Sequence, residues 1–396
     1  MRINAIPMRP TTAIATLILL TTLVVVSACK KHHDMTPVKT TTDHLDVYVL
    51  GTSNDTLEYW KNDSAVPLAI ITGPANYVSD IAFANNLIYV CGGGNSSPGS
   101  GFGEVWTQVP GEPLQSSLLQ DTTGSIANVH TNGIVVSSTG DVYIAGTVWY
   151  DPQSGVPYTT PTAPYPLSGY IATYWKNGKA VNLPSMGYLA GGTSTTSSHA
   201  DYVSGIFVSG SDVYVSGGSN EYETDSANTF QFARYWKNGV STNLSNGLID
   251  SSAGGTITSR PNTTGIFVSG SDVYVSGTLA GSQALYWKNG VPVFLTPAGI
   301  SGGGAGAEAI FVNGSDVYVA GYVDSAGASY AVYWKNGVVT PLSTYPSSAN
   351  SIIVNQDSVY IAGSDDVSGT NHATLWTNGR ATHLGVYGQG WALAVQ

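Results

Sequence analysis

From residue 45 to its C-terminus the chain repeats itself, and a repeat of this content limits the fold more than any other feature of the sequence. The clearest unit is GIFVSGSDVYVSG at 205–217 followed by RYWKNG at 234–239, and it recurs at 265–277 with YWKNG at 286–290. Looser copies are AIFVNGSDVYVAG at 309–321 and SIIVNQDSVYIAG at 351–363. DIAFANNLIYVCG at 80–92 and GIVVSSTGDVYIAG at 133–146 are earlier relatives. A tryptophan marks a later point of each unit: Trp60, Trp106, Trp175, Trp236, Trp287, Trp334 and Trp376, at steps of 46, 69, 61, 51, 47 and 42 residues.

Each unit reads as four short strands. Segment A is IFV, segment B is DVYV, segment C ends in YW, and segment D is a stretch such as VSTNL at 240–244. The A and B runs are almost wholly apolar, β-branched or aromatic, as strands buried on both faces must be. Ser-Gly-Ser-Asp suits the A–B turn, because Gly tolerates positive φ and Asp bonds the turn backbone. Asn-Gly at 177–178, 238–239, 289–290, 336–337 and 378–379 is a strong hairpin signal for the C–D turn. The prominent Lys, Asn and Asp of the motif are therefore turn chemistry first. Four-stranded antiparallel units of this length suit propeller blades. The period-2 pattern excludes an α-solenoid, and a β-solenoid needs a shorter, more regular repeat.

The ends set the expected count. HLDVYVLG at 44–51 is a B segment with no A before it, and WALAVQ at 391–396 is an A segment with no B after it. Leu393, Ala394 and Val395 align with Ile206, Phe207 and Val208. Joining the two half-units predicts an all-β, seven-bladed propeller over 45–396, closed by the N-terminal strands pairing with the C-terminal strand. Such closure leaves no open sheet edge between first and last blade. The layout resembles that of WD-repeat propellers, which also place a small-residue A strand, a tight turn and a Trp in strand C. The Trp-Asp pair is absent, and the residue after Trp here is usually Lys. The chain is more similar to bacterial lipoproteins with tandem IFVSGSDVYVAG and YWKNG repeats, a resemblance that spans 45–396 and implies a fold without an activity.

The N-terminus carries an independent signal. Arg2 and Arg9 precede an apolar run at 13–26, too short for a comfortable spanning helix, which ends in Val26-Ser27-Ala28-Cys29. This resembles a lipobox, which implies that residues 1–28 are a signal peptide and that Cys29 carries acyl chains. Lys30, rather than Asp, follows the Cys, and by the same resemblance this implies the outer membrane. Residues 30–44 are polar and aperiodic, so 29–44 read as lipidated Cys and flexible tether. The second cysteine, Cys91, stands where sister repeats have Ser or Ala, and reads as a small buried residue. With Cys29 acylated no disulfide is available, so stability must come from the core.

Charge and motifs narrow the function. The net charge is −11, and loss of 1–28 removes Arg2 and Arg9 but no acid, giving −13. No basic stripe exists, so a nucleic-acid partner is not expected. After residue 44 the arginines are Arg234, Arg260 and Arg380, too few for a sialidase-like cluster, and the Ser-x-Asp-x-Gly-x-Thr-Trp pattern is missing. His44, His130, His199, His372 and His383 lack ligand spacing, so no metal or cofactor is expected. There is no nucleophile-elbow motif.

Recognition on a rigid scaffold falls to its variable loops. The B-strand Gly to the Trp spans 9 residues at 51–60 but 29 at 146–175, and the Trp to the next A strand spans 17 to 31. The A–B turns barely vary, so all elaboration falls on one face, in 147–173, 183–204, 218–233 and 245–264. Rigid aromatics beside carboxylates suit a sugar or a protein contact. The candidate contacts are Trp149, Tyr150, Asp151, Tyr158, Tyr165, Glu221, Tyr222, Glu223 and Asp225. Three functions remain open at this level: a glycan- or peptide-binding, membrane-anchored, monomeric lipoprotein; a scaffold subunit of an envelope assembly; and a glycan-active enzyme.

Overall fold

The computed structural model describes residues 45–396 apart from 55, 69–76, 98–99, 110–111, 113–114, 123–127, 151–168, 185–198, 223–228, 247, 249–259, 281 and 296–302. For 95–97, 100, 150, 199, 220–222 and 229–230 it describes the backbone alone. The described residues contain no helix; the protein is a β-propeller of four-stranded antiparallel blades.

β1 (Val47–Ser53), β2 (Thr56–Lys61) and β3 (Ser64–Pro67) share a sheet with the last strand of the chain, β28 (Gly390–Val395), in the order β28-β1-β2-β3. The next sheet runs β4 (Tyr77–Ala84), β5 (Leu87–Ser97), β6 (Ser100–Gln108), β7 (Gln115–Leu118). Three more follow the same meander later in the chain. They are β16 (Pro261–Ser269) to β17 (Asp272–Leu279), β18 (Gln283–Lys288) and β19 (Val291–Phe294); β20 (Ala305–Asn313) to β21 (Asp316–Ser325), β22 (Ala328–Lys335) and β23 (Val338–Pro341); and β24 (Ser347–Asn355) to β25 (Ser358–Val367), β26 (Thr370–Thr377) and β27 (Arg380–Val386).

The repeat predicts seven separate blades, and here the structure differs. Five sheets are discrete, while the strands between residues 129 and 243 form one eight-stranded sheet. It contains β8 (Val129–Val136), β9 (Val142–Tyr150), β10 (Gly169–Lys176), β11 (Lys179–Asn182), β12 (His199–Ser209), β13 (Asp212–Tyr222), β14 (Thr229–Lys237) and β15 (Val240–Asn243). The cause is local: β10 and β12 pair in parallel through Gly169 with His199 and Tyr170 with Ala200. Every other ladder is antiparallel.

Three features of the repeat acquire physical reasons. First, the marker tryptophans are core: six are essentially inaccessible and Trp106 is nearly so. Trp236 also donates from Nε1 to Pro184 O at 2.8 Å, and Trp175 to Gln120 O at 2.6 Å, so each ring ties its sheet to the outer end of the preceding group of strands.

Second, the Lys-Asn-Gly segments are two-residue hairpin turns with positive φ at both centres, 51° at Asn289 and 83° at Gly290. Asn289 Oδ1 accepts the Val273 N–H at 2.8 Å, and its Nδ2 donates to Asp272 Oδ1 at 2.8 Å. Lys288 Nζ meets Asp272 Oδ2 at 2.9 Å and lies 5.2 Å above the Tyr274 ring. The same Asp–Asn–Lys–Tyr lock recurs with Lys61 on Asp46, Lys176 on Asp141, Lys237 on Asp212 and Lys335 on Asp316.

Third, every A strand carries a bulge at the same place, at Ser79, Asn132, Ser204, Thr264, Glu308, Asn350 and Trp391. A bulge re-aims its side chain. Ser79 Oγ donates to Thr131 O at 2.7 Å, Thr264 Oγ1 to Ala307 O at 2.8 Å and Asn350 Nδ2 to Gly390 O at 2.9 Å, so at these three positions the bulged residue stitches one A strand to the next. The Gly that ends each B segment lies against this bulge. At Gly277 a Cβ would collide with Asn262 O and stand 2.7 Å from Trp287 Cζ3.

Candidate functional site

The A–B and C–D turns lie at one end of each meander, and the B–C and D–A connections at the other. On this second, long-loop side a pocket of about 240 Å³ opens at the β10–β12 junction. His130 and Asn132 come from β8, Thr147 from β9, Tyr170 from β10, and Asp201, Tyr202 and Val203 from β12. Asn132 is the bulged residue of its strand and lines the pocket, whereas Ser79, Thr264 and Asn350 at the same register bond the next A strand.

One wall is aromatic. Tyr77 stacks on His130 at 6.3 Å, His130 meets the edge of Tyr170 at 5.6 Å, and Tyr170 meets Trp149 edge-on at 5.0 Å. The opposite wall is β12. Asp201 is only 3% exposed and its Oδ2 accepts the Ala172 N–H at 3.3 Å, which holds the carboxylate across the junction. Tyr202 accepts the Thr263 N–H at 3.4 Å, as Tyr77 accepts the Thr131 N–H at 3.1 Å, so both tyrosines bolt their strand to the following one. Arg234 on β14 is fully buried, its guanidinium 5.6 Å from the Trp236 ring centre. Register places Arg234 opposite Gly217, and Asp201 opposite Ser219 on the same strand, so both side chains leave one face of the sheet.

Burial sets the protonation states. It lowers the His130 imidazole, which favours the neutral ring at pH 7. It pushes the Tyr202 hydroxyl up to about 12, against the opposing pull of the Thr263 hydrogen bonds and the Arg234 charge. Neutral imidazole, hydroxyls, an amide and one carboxylate beside aromatic rings can bind hydroxyl groups or a cation.

Of the residues named from the sequence, Trp149 meets the edge of Tyr170 behind the pocket, is not itself among the lining side chains, and is 39% exposed. Tyr150 pairs with Gly169, Glu221 with Phe230 and Tyr222 with Thr229, which puts their backbones at strand ends on the long-loop side; their side chains are not described. Asp151, Tyr158, Tyr165, Glu223 and Asp225 lie outside the described residues, as does Cys29. Sequence reasoning missed Asn132, Asp201 and Tyr202. The available signal was departure from the repeat: five residues before the A-strand aliphatic, sister units have Pro261, Ala305, Ser347 and Val129, and only here an Asp.

A second polar cluster gathers side chains of β25–β27 with Ser343 from the β23–β24 connection. Ser343 Oγ donates to Asp365 Oδ1 at 2.6 Å, His383 Nε2 is 3.3 Å from Asp365 Oδ2, and His372 stacks on His383 at 4.7 Å. The hydroxyl bonds the carboxylate and not the imidazole, so this is not the order a serine nucleophile requires. Among the described residues no three His, Cys, Asp or Glu side chains are grouped to hold a metal ion. Cys91 is buried, free of a disulfide, and held well above the usual thiol range by burial, a setting for an inert thiol. No helix among the described residues is long and apolar enough to cross a membrane.

No protein-family model matches the chain, and no curated protein matches it. Among solved structures it is similar to Trypanosoma rangeli sialidase in complex with the inhibitor DANA, at 8% identity and TM-score 0.39, over 79% of this chain and 56% of that one. It is similar to a Mycobacterium tuberculosis puromycin-hydrolyzing peptidase at 10% identity and TM-score 0.48, over 91% of this chain and 53% of the peptidase. It is also similar to the β-propeller domain of the Trilobed protease from Pyrococcus furiosus at 9% identity and TM-score 0.34, over 78% of this chain and 98% of that domain. The chain thus spans about half the length of the sialidase and the peptidase.

Proposed function

We propose that the chain is an outer-membrane lipoprotein, anchored through Cys29, whose propeller is a non-enzymatic binding module for a neutral or cationic glycan or peptide group. The pocket at the β10–β12 junction carries this reading. Here the bulged Asn132 lines an open, aromatic-walled, carboxylate-bearing recess. Its volume of about 240 Å³ is below that of most drug-sized sites, which fits one sugar ring or one side chain of a larger ligand. The net charge of −13 after residue 28 disfavours an anionic partner.

The ring in this reading has seven blades, the eight-stranded sheet being two blades joined by four residues of parallel pairing. Its support is the order of neighbours among the A strands: β4 beside β8, then β12, β16, β20, β24 and β28, and β28 beside β4 again. The closing joint is then β28 on β1, with Val47 opposite Val395 and Val49 opposite Leu393.

A glycan array and a peptide pull-down with the propeller would test the binding reading. Trp149→Ala with Tyr170→Ala should weaken a ligand found there at least tenfold, about 1.4 kcal/mol, with little change in Tm. Undiminished binding in that variant would exclude the pocket, and turnover of the bound glycan would replace a binding module by an enzyme. Cys29→Ala should abolish acylation and detergent partitioning; unchanged partitioning and mass would remove the anchor.

A further inference from the structure

The two ends of the meanders differ in charge, both expose apolar side chains, and the chain enters at one of them. Of nine basic residues after residue 44, seven flank the tight A–B and C–D turns, and the exceptions are Arg234 and Arg260. Of 23 acidic residues over the same span, eight flank those turns and 15 fall in the strand middles or toward the long-loop connections. The tight-turn side is therefore near neutral, with its lysines folded onto aspartates, while the negative excess falls on the rest of the chain.

The same side exposes valine. Val240, Val291 and Val338 each follow a Lys-Asn-Gly turn in consecutive units and are 70%, 64% and 69% exposed. Exposed valines scattered singly mean little; three at one register on one rim form a common edge. The described chain also begins on this side, because Asp46 and Gln396 exchange backbone hydrogen bonds of 2.9 Å at the tight-turn end of β1 and β28.

We infer that the tight-turn side is the surface that rests on the lipid bilayer, with the valine rim of the Val240, Val291 and Val338 units at the headgroups and the long-loop side turned away. The inference rests on the lipoprotein reading above. Attachment on the tight-turn side holds that face close to the membrane, apolar tips gain from insertion, and acidic groups elsewhere are repelled by lipid phosphates. The pocket then opens away from the membrane, where a ligand arriving from the other side meets it first.

The test uses the full-length, processed chain in vesicles of phosphatidylethanolamine and phosphatidylglycerol. Val338→Cys and Ser325→Cys place an NBD label at opposite ends of the same four-stranded sheet, both at exposed positions. Nitroxide lipids should quench the label at 338 at least twofold and leave that at 325 unchanged. Adding Val240→Asp and Val291→Asp should remove the quenching at 338 while the protein still floats with vesicles. Flotation without quenching at 338, quenching at 325, or quenching that survives the aspartates would each overturn the docking surface and leave the anchor standing. Failure to float would remove the anchor, and the docking surface with it.

Discussion

At the scale of single residues, the repeat's invariable letters divide into two physical kinds. Gly290 has φ of 83° with open space where its Cβ would be, so it serves conformation alone. Gly277 serves close approach: its neighbour is the bulged backbone of β16. Gly277→Ala should therefore cost about 3 kcal/mol through overpacking, and Gly290→Ala about 1 kcal/mol through the left-handed backbone; chemical denaturation of both would rank them, and the reverse order would refute the distinction. The turn lock has its own hierarchy. Asp272's carboxyl is held below its usual value, first by the Asn289 amide and then by Lys288. A depressed carboxyl contributes stability above its unfolded pKa and loses it as the pH falls through the folded one, so the lock fails only in acid. Because the ion pair is exposed, Lys288→Met should scarcely move the Tm. Asn289→Ala removes the bond to the Val273 N–H and places Ala at φ of 51°, and should lower the Tm clearly; equal effects would show that the ion pair matters more than the turn.

At the scale of elements, the four-strand unit, its turns and its tryptophan were readable because each is a local pattern repeated under one constraint. Asn-Gly between apolar runs forces a hairpin wherever it stands, and the alternation of Tyr and Val in DVYV forces a strand. The bulge of each A strand was not readable, since Ser79, Glu308 and Trp391 share no residue type, only a register. The β10–β12 pairing was hidden for a similar reason: two backbone pairs, Gly169 with His199 and Tyr170 with Ala200, need no side-chain signature. The pocket lies beside that pairing, and Asn132 and Asp201, on the strands beneath the long loops, went unread. His130 makes the junction titratable. Its folded pKa is depressed by burial, so its contribution is complete above about pH 6.5 and is lost as the pH falls through the folded value. Between pH 7 and pH 5 the parent should lose more thermal stability than His130→Gln. Parallel Tm profiles for the two would mean that the ring is not desolvated in solution.

At the scale of the whole molecule, the joint between β28 and β1 decides whether the propeller is one cooperative body. β28 brings Ala392, Leu393 and Ala394 to complete burial and Val395 to 3% exposure, although it is only six residues long. Burying Leu393 and Val395 is worth roughly 1.5–3 kcal/mol each, a large share of the 5–15 kcal/mol typical of a folded domain. Deleting 391–396 should therefore bring the protein to the edge of unfolding, but such a loss would follow from removing any buried strand. A circular permutant separates closure from mere burial. Asp46 and Gln396 exchange backbone hydrogen bonds, and they occupy the places that Asp212 and Ser209 hold across the A–B turn Gly210-Ser211. Linking Gln396 to Asp46 through Gly-Ser, and opening the chain at Ser325-Ala326 in an exposed turn, converts the joint into an ordinary hairpin. Every strand keeps its neighbours, and the opened turn costs one loop closure, so stability should stay within about 1 kcal/mol of the parent. If the ends were apart in solution, the two-residue linker could not span them, and the permutant would unfold early or pair between chains. Denaturant unfolding with sedimentation on the same samples would distinguish a stable monomer from either failure.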